Sequence, residues 1–211
     1  MIPMPKKLTR TDGVWTAVTA TGDSYSAPIV INAAGAWADV VADIAGVPTI
    51  GLVPKVRSVF MVNSPFGEET KDGPIVGDID GAYYFKPDGN QFLISPMDAT
   101  PTVPCDAQPD ELEIARAIDE VNDATTINVR HVNSTWGGLR SFVKDENPVI
   151  GYEPTVEGFF WMAGQGGYGI QTSPAAARLA ASLVRKNGVP SDLAERGVSA
   201  DELAPNRPGL K

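Results

Sequence analysis

The sequence predicts an α+β fold, with both ends of the chain building one α/β portion and the middle building a mostly antiparallel β-sheet with a helix. Two observations predict the first part. Ile29-Val30-Ile31-Asn32 and Gly158-Phe159-Phe160-Trp161-Met162-Ala163 are apolar runs of strand length, and each feeds a turn of small residues and then a helical pattern. A third observation predicts the second part. Between Val53 and Val132 the chain is cut into short apolar runs separated by turn residues.

Taken in order, Val14–Ala20 and Tyr25–Ile31 form an expected hairpin around Thr21-Gly22-Asp23, the second strand running into Ala33-Ala34-Gly35. Trp37, Val40, Val41 and Ile44 then recur at helical spacing until Gly46-Val47-Pro48 stops the helix. Strands are expected over Val56–Val62, Ile75–Ile79, Ala82–Lys86 and Gln91–Pro96, with Asp88-Gly89 as a tight turn. Pro109 opens an amphipathic helix, Asp110–Ala124, whose Leu112, Ala115, Ile118 and Val121 form the expected apolar stripe. A strand over Thr126–Val132 precedes Trp136, and an alanine-rich helix covers Ala175 to Arg185. From Pro190 the chain is polar and punctuated by Pro and Gly, which predicts a loose tail. The resulting division is 1–52 and 134–190 for the α/β portion, 53–133 for the sheet domain and 191–211 for the tail.

Composition excludes several functions. The 211 residues are 43% hydrophobic and 20% charged, which fits a globular protein with a substantial core. A net charge of −9 opposes a phosphate-binding surface, so no nucleic-acid partner is expected. The apolar stretches fall short of the roughly 18 residues a membrane span needs. Prolines interrupt the N-terminus and no apolar signal segment follows it. A single Cys105 excludes an internal disulfide and points to a reducing, cytoplasmic location; beside Pro101 and Pro104 it is a passive loop thiol. With His131 the lone histidine, zinc sites and Ser-His-Asp relays lack their parts, so no metal is expected and His131 is structural or superficial.

The segment Gly164-Gln165-Gly166-Gly167-Tyr168-Gly169-Ile170-Gln171-Thr172-Ser173-Pro174 carries the chemistry. Strand, glycine turn and helix bring bare N–H groups and a helix N-terminus up to a flat or anionic ligand. The alternative is a glycine-rich connector with no ligand.

This loop and the Asn32-Ala33-Ala34-Gly35-Ala36-Trp37 turn resemble those of the D-amino-acid-oxidase family of FAD-dependent oxidoreductases. Pro54-Lys55-Val56-Arg57-Ser58, Tyr84-Phe85-Lys86-Pro87-Asp88 and Thr135-Trp136-Gly137-Gly138-Leu139-Arg140-Ser141-Phe142 fall in the family's order, so the resemblance covers nearly the whole chain. Within the family it is similar to the bacterial D-arginine dehydrogenase type. The resemblance implies FAD contacts at Ala33, Ala34, Gly35, Trp37, Gly138, Leu139, Gly166, Gly167, Tyr168, Gly169, Ile170, Gln171 and Thr172. It implies substrate contacts at Arg140, which anchors the α-carboxylate, at Tyr84 and Arg57, and at the Gly167 carbonyl near the amine. Bland alternatives stand beside these: a structural salt bridge for Arg140, packing for Tyr84, a solvated strand charge for Arg57. No cysteine lies near Trp136, which implies non-covalent FAD.

The implied activity is oxidative deamination of D-amino acids to 2-oxo acids and ammonia, with oxygen or a quinone accepting the electrons. A glycine- or sarcosine-type substrate is an alternative. No Gly-x-Gly-x-x-Gly element occurs in the chain. The expectation is therefore an incomplete FAD/NAD(P)-binding fold, the C-terminal part of a larger flavoenzyme that binds FAD weakly alone. A further alternative is a non-catalytic fragment or subunit whose partner supplies the dinucleotide fold.

Overall fold

A computed structural model describes residues 4–210. The chain forms two compact units: one from the chain up to Val53 together with Arg140 onward, the other from Pro54 to Leu139. The fold is α+β.

The first unit opens with β1 (Pro5–Thr11), β2 (Val14–Thr19) and β3 (Ser24–Ala27), an antiparallel sheet in that order. The β1 strand is not evident in the periodicity, yet Asp12 and Gly13 both take positive φ (50° and 82°) and close a two-residue hairpin. Its inward Leu8 joins Trp15 in the core. The expected Tyr25–Ile31 strand is in fact two strands. Pro28, which has no N–H to donate, separates β3 from β4 (Val30–Asn32), and β4 joins a different sheet. Helix α1 (Ala38–Ala45) buries Ala38, Val41 and Ala42 and stops at Gly46 in the left-handed region (φ 66°). The Asp39 carboxylate accepts the Ile50 and Leu52 amides at 3.0 and 2.8 Å, fixing the exit loop.

The second unit is built on a six-stranded sheet. Its strands are β5 (Val53–Asn63), β6 (Val76–Gly77), β7 (Tyr84–Asp88), β8 (Gln91–Ser95) and β9 (Thr100–Pro101), followed by α2 (Glu111–Ala124) and β10 (Ser134–Phe142). The order is β10-β5-β8-β7-β6, with β9 also on β5. The strand expected over Ile75–Ile79 shrinks to β6, because the Asp78 carboxylate takes the Asp80 and Ala82 amides and turns the chain. Asp110 caps α2 by accepting the Leu112 and Glu113 amides. The buried stripe of α2 is Ile114, Ala117 and Val121, with Ile118 beside it. The expected Leu112 and Ala115 lie instead on the exposed side. No strand forms at Thr126–Val132. Asn122 takes the ladder's place, accepting the Val129 N–H at 2.6 Å and donating to its carbonyl at 3.2 Å. His131 is exposed and Cys105 half-buried.

The first unit resumes with β11 (Val149–Tyr152), β12 (Phe159–Ala163), α3 (Gly169–Val184) and α4 (Ser191–Ala194). β12 pairs antiparallel with β11 and parallel with β4, so Phe159, Phe160 and Trp161 face Val30, Ile31 and Asn32. Phe159 and Trp161 pack with Trp15 and α1, while Phe160 on the opposite face packs with Leu179, Ala180 and Leu193. The segment after Pro190 is not loose. Leu193 and Leu210 are core residues, and the buried Arg207 is fastened to Asp145. Apolar anchors spaced along a polar stretch hold it down.

Candidate cofactor and substrate site

Adjacent parallel strands place the two small-residue turns side by side. β4 and β12 run in the same direction and in register, so Ala33-Ala34-Gly35 and Ala163-Gly164-Gln165 leave the same end of one sheet. The carboxyl ends of neighbouring parallel strands are where α/β sheets hold ligands.

The first turn is held by Asn32. This buried amide donates to the Ala38 carbonyl at 2.8 Å and accepts the Ala34 N–H at 3.3 Å, bracketing the turn. Gly35 takes φ 56°, which a side chain would resist. Ala33, Gly35 and Trp37 are exposed, and Ala34 is half-buried.

The second turn contains two glycines with positive φ, Gly164 and Gly166. The Gly166 N–H donates to the Ser141 carbonyl at 2.9 Å, and a Cβ there would lie 2.7 Å from the Phe142 ring. At Gly167 a Cβ would lie 3.1 Å from Nη1 of Arg140. Arg140 thus rests against bare backbone, so these two expected site residues are together. The alternative of a structural salt bridge has no support: among the described residues Arg140 makes no ion pair.

Helix α3 starts at Gly169, six residues before the expected Ala175, so the end of the glycine loop is itself helical. Pro174 lies inside it and cannot donate to the Ile170 carbonyl. The Ser173 hydroxyl donates to that carbonyl instead, at 2.8 Å, and the helix continues through the proline. No side chain caps the N-terminus. The amides of Gly169, Ile170 and Gln171 therefore have no intrahelical acceptor, at the end of a dipole worth roughly half a positive charge. Gly167, Tyr168, Gln171 and Thr172 are exposed, and Ile170 is 94% exposed. Uncapped donors beside glycine surface fit the N1–C2=O edge of a flavin, which becomes electron-rich on reduction.

The remaining expected residues lie in the second unit. Gly138 is exposed with open space where a Cβ would be, and Leu139 is half-buried. It is Gly137 that requires its lack of a side chain, since a Cβ there would meet the Gln108 carbonyl carbon at 2.7 Å. Tyr83 faces the core and stacks on Phe85, whereas Tyr84 on the other face is half-buried and its hydroxyl makes no hydrogen bond among the described residues. Arg57 is not a solvated strand charge. Its side chain is 12% exposed, with Nε donating to the Asp98 carbonyl at 2.7 Å and lying 3.9 Å from the Asp98 carboxylate. Asp98 was not evident from sequence, because Ser95-Pro96-Met97-Asp98 resembles a strand exit.

Residues 6–183 match the family model described as FAD dependent oxidoreductase (DAO). FAD-dependent oxidoreductase domain-containing protein 1 of Bos taurus is 30% identical over 178 residues, covering 74% of this chain and 35% of that protein. Glycine oxidase of Geobacillus kaustophilus is 25% identical over 194 residues, 88% of this chain and 48% of that protein. Its crystal structure superposes with a TM-score of 0.72 at 25% identity, covering 91% of this chain and 50% of that one. L-amino acid deaminase from Proteus vulgaris superposes with a TM-score of 0.77 at 17% identity, covering 96% of this chain and 57% of that one. The chain thus spans about a third of the length of the first curated relatives it matches.

Proposed function

Because the chain belongs to the FAD dependent oxidoreductase (DAO) family, we propose that it is the substrate-binding and flavin-contacting C-terminal portion of an amino-acid dehydrogenase or oxidase acting on D-amino acids, of the D-arginine dehydrogenase type. The observation that carries the reading is Arg140 lying against Gly167 beside the uncapped amides of α3.

FAD, bound without a covalent link, supplies the hydride acceptor at its N5. The amides of Gly169, Ile170 and Gln171 favour negative charge at the ring edge. Ala33, Ala34, Gly35 and Trp37 on the first turn, with Gly138, Leu139, Gly166, Tyr168 and Thr172, contact the cofactor. Arg140 grips the substrate carboxylate as a fork, and Tyr84 and Arg57 add polar contacts to it. The Gly167 carbonyl accepts from the substrate amine. Positioning the Cα–H is the main work of these groups, so no side chain need be a strong base. The resulting imino acid takes up water to give a 2-oxo acid and ammonia.

The lone Cys105 supports placement in a reducing, cytoplasmic compartment, and oxygen or a quinone is the proposed electron acceptor. A second reading, glycine or sarcosine as substrate, draws on the likeness to glycine oxidase.

Anaerobic mixing of FAD and single amino acids with the chain, supplied with a dinucleotide-binding portion from the family, tests this. D-alanine and D-arginine should bleach the flavin's visible absorbance. Bleaching by glycine or sarcosine alone selects the second reading.

A further inference from the structure

Between β5 and its two antiparallel neighbours the ladder is interrupted. β5 pairs with β8 through Phe60↔Ile94 and with β9 through Val56↔Thr100, so three residues on β5 face five on the other side. The extra length is a bulge in which Met97 takes φ 57°. Side chains replace the missing rungs at Ser58. Its N–H donates to Asp98 Oδ1 at 2.7 Å, and its carbonyl accepts the Ser95 hydroxyl at 2.8 Å. The Ser58 hydroxyl donates to Asp98 Oδ2 at 2.8 Å and accepts the Asp110 N–H at 2.9 Å, which ties the bulge to the cap of α2.

The Asp98 side chain is 2% exposed. A carboxylate that deep is costly unless its charge is answered, and a neutral Asn or Ser could fill a bulge of this shape. The answering charge is Arg57, the residue before Ser58. Asp98 holds it twice over, by its carbonyl on Nε at 2.7 Å and by its carboxylate at 3.9 Å. Bulges beside functional sites commonly re-aim a side chain, and a guanidinium fixed before ligand arrives loses little freedom on binding.

We infer that Asp98 is the positioning residue for Arg57, locking its guanidinium in the orientation that meets a carboxylate ligand. The inference rests on the proposed role of Arg57 toward the substrate carboxylate.

The test uses the chain supplied with the same dinucleotide-binding portion and FAD, labelled with 15N-arginine, and pyruvate as the 2-oxo acid probe. The Arg57 Nε–H signal is assigned by its loss in Arg57→Lys. Pyruvate should shift the Arg57 and Arg140 signals. In Asp98→Asn the affinity read at Arg57 should fall about tenfold, the loss of one charge-assisted contact, while the Phe60 and Ile94 amides stay as protected from exchange as before. Equal affinity in Asp98→Asn overturns the inference, as does a response at Arg140 with none at Arg57; both leave the proposed function standing. No response at either arginine overturns the two together. Should Asp98→Asn fail to fold, Ser58→Ala takes the hydroxyl from the Asp98 carboxylate and the acceptor from the Asp110 N–H, and should weaken pyruvate several-fold with the Phe60 and Ile94 amides still protected; unchanged affinity overturns the inference.

Discussion

Arg207 grips Asp145 with two parallel bonds, Nε to Oδ2 at 2.6 Å and Nη2 to Oδ1 at 2.8 Å. The same guanidinium donates to the carbonyls of Asn147, Pro148 and Ala204, so one side chain ties the end of the chain to the β10–β11 turn.

Arg207→Ala should lower unfolding stability by about 2 kcal/mol, since Asp145 is partly solvated and the stranded carbonyls can recruit water. The pH dependence has a definite sign. The hydrogen bond from Arg207 is the main cause holding the Asp145 carboxyl below its ordinary value. A depressed folded-state value stabilises at pH above the unfolded value, near 4, and the effect is lost as pH falls through the folded value. Denaturation of the parent chain and Asp145→Asn across pH 2–7 checks this: the two should differ at neutral pH and converge in acid.

Gly158→Ala should destabilise the first unit by about 2 kcal/mol or more. Gly158 has φ 75°, and a Cβ would lie 2.6 Å from the Pro28 carbonyl oxygen and 3.1 Å from the Trp15 indole nitrogen. Since Val30 also donates to the Gly158 carbonyl at 2.9 Å, the start of the β4–β12 pairing is what gives way. Exchange protection of the Val30 amide reads it.

Ser173→Ala should cost up to about 1 kcal/mol in the parent chain and close to nothing beside Pro174→Ala. An alanine at 174 regains the N–H that the Ile170 carbonyl lacks, which makes the hydroxyl redundant. A double-mutant cycle on thermal unfolding measures the coupling.

With the dinucleotide-binding portion supplied, Arg140→Ala should reduce kcat/KM for a D-amino acid by about 3 kcal/mol or more of transition-state binding. Arg140→Lys should recover little, because an ammonium cannot reproduce the fork. Near-normal kinetics in either variant would remove Arg140 from the site.

Local pattern explains what was legible. Apolar runs feeding small-residue turns marked β4 and β12, and the spacing of Trp37, Val41 and Ile44 marked α1. The β1 strand was missed although Asp12-Gly13 between alternating residues is a hairpin signal. Thr126–Val132 looked like a strand because Ile127 and Val129 alternate inward, but their backbone partner is the Asn122 amide, which no period reports. The start of α3 was hidden because Pro174 reads as a helix limit, and only the Ser173 hydroxyl lets the helix pass it. At the site, Arg140 and Gly167 could be named from sequence. Asp98 could not, since its role exists only once β5 and the bulge face each other.

The β4–β12 pairing also sets an order of assembly. Val30 meets Phe159 only after every residue of the second unit has been made. During synthesis β4 therefore waits with its ladder groups unpaired, while the second unit, Pro54–Leu139, is already made. A nascent chain that has emerged only as far as residues 140 to 158 would hold the whole insert inside an unfinished host, and that is the interval in which a chaperone has most to protect.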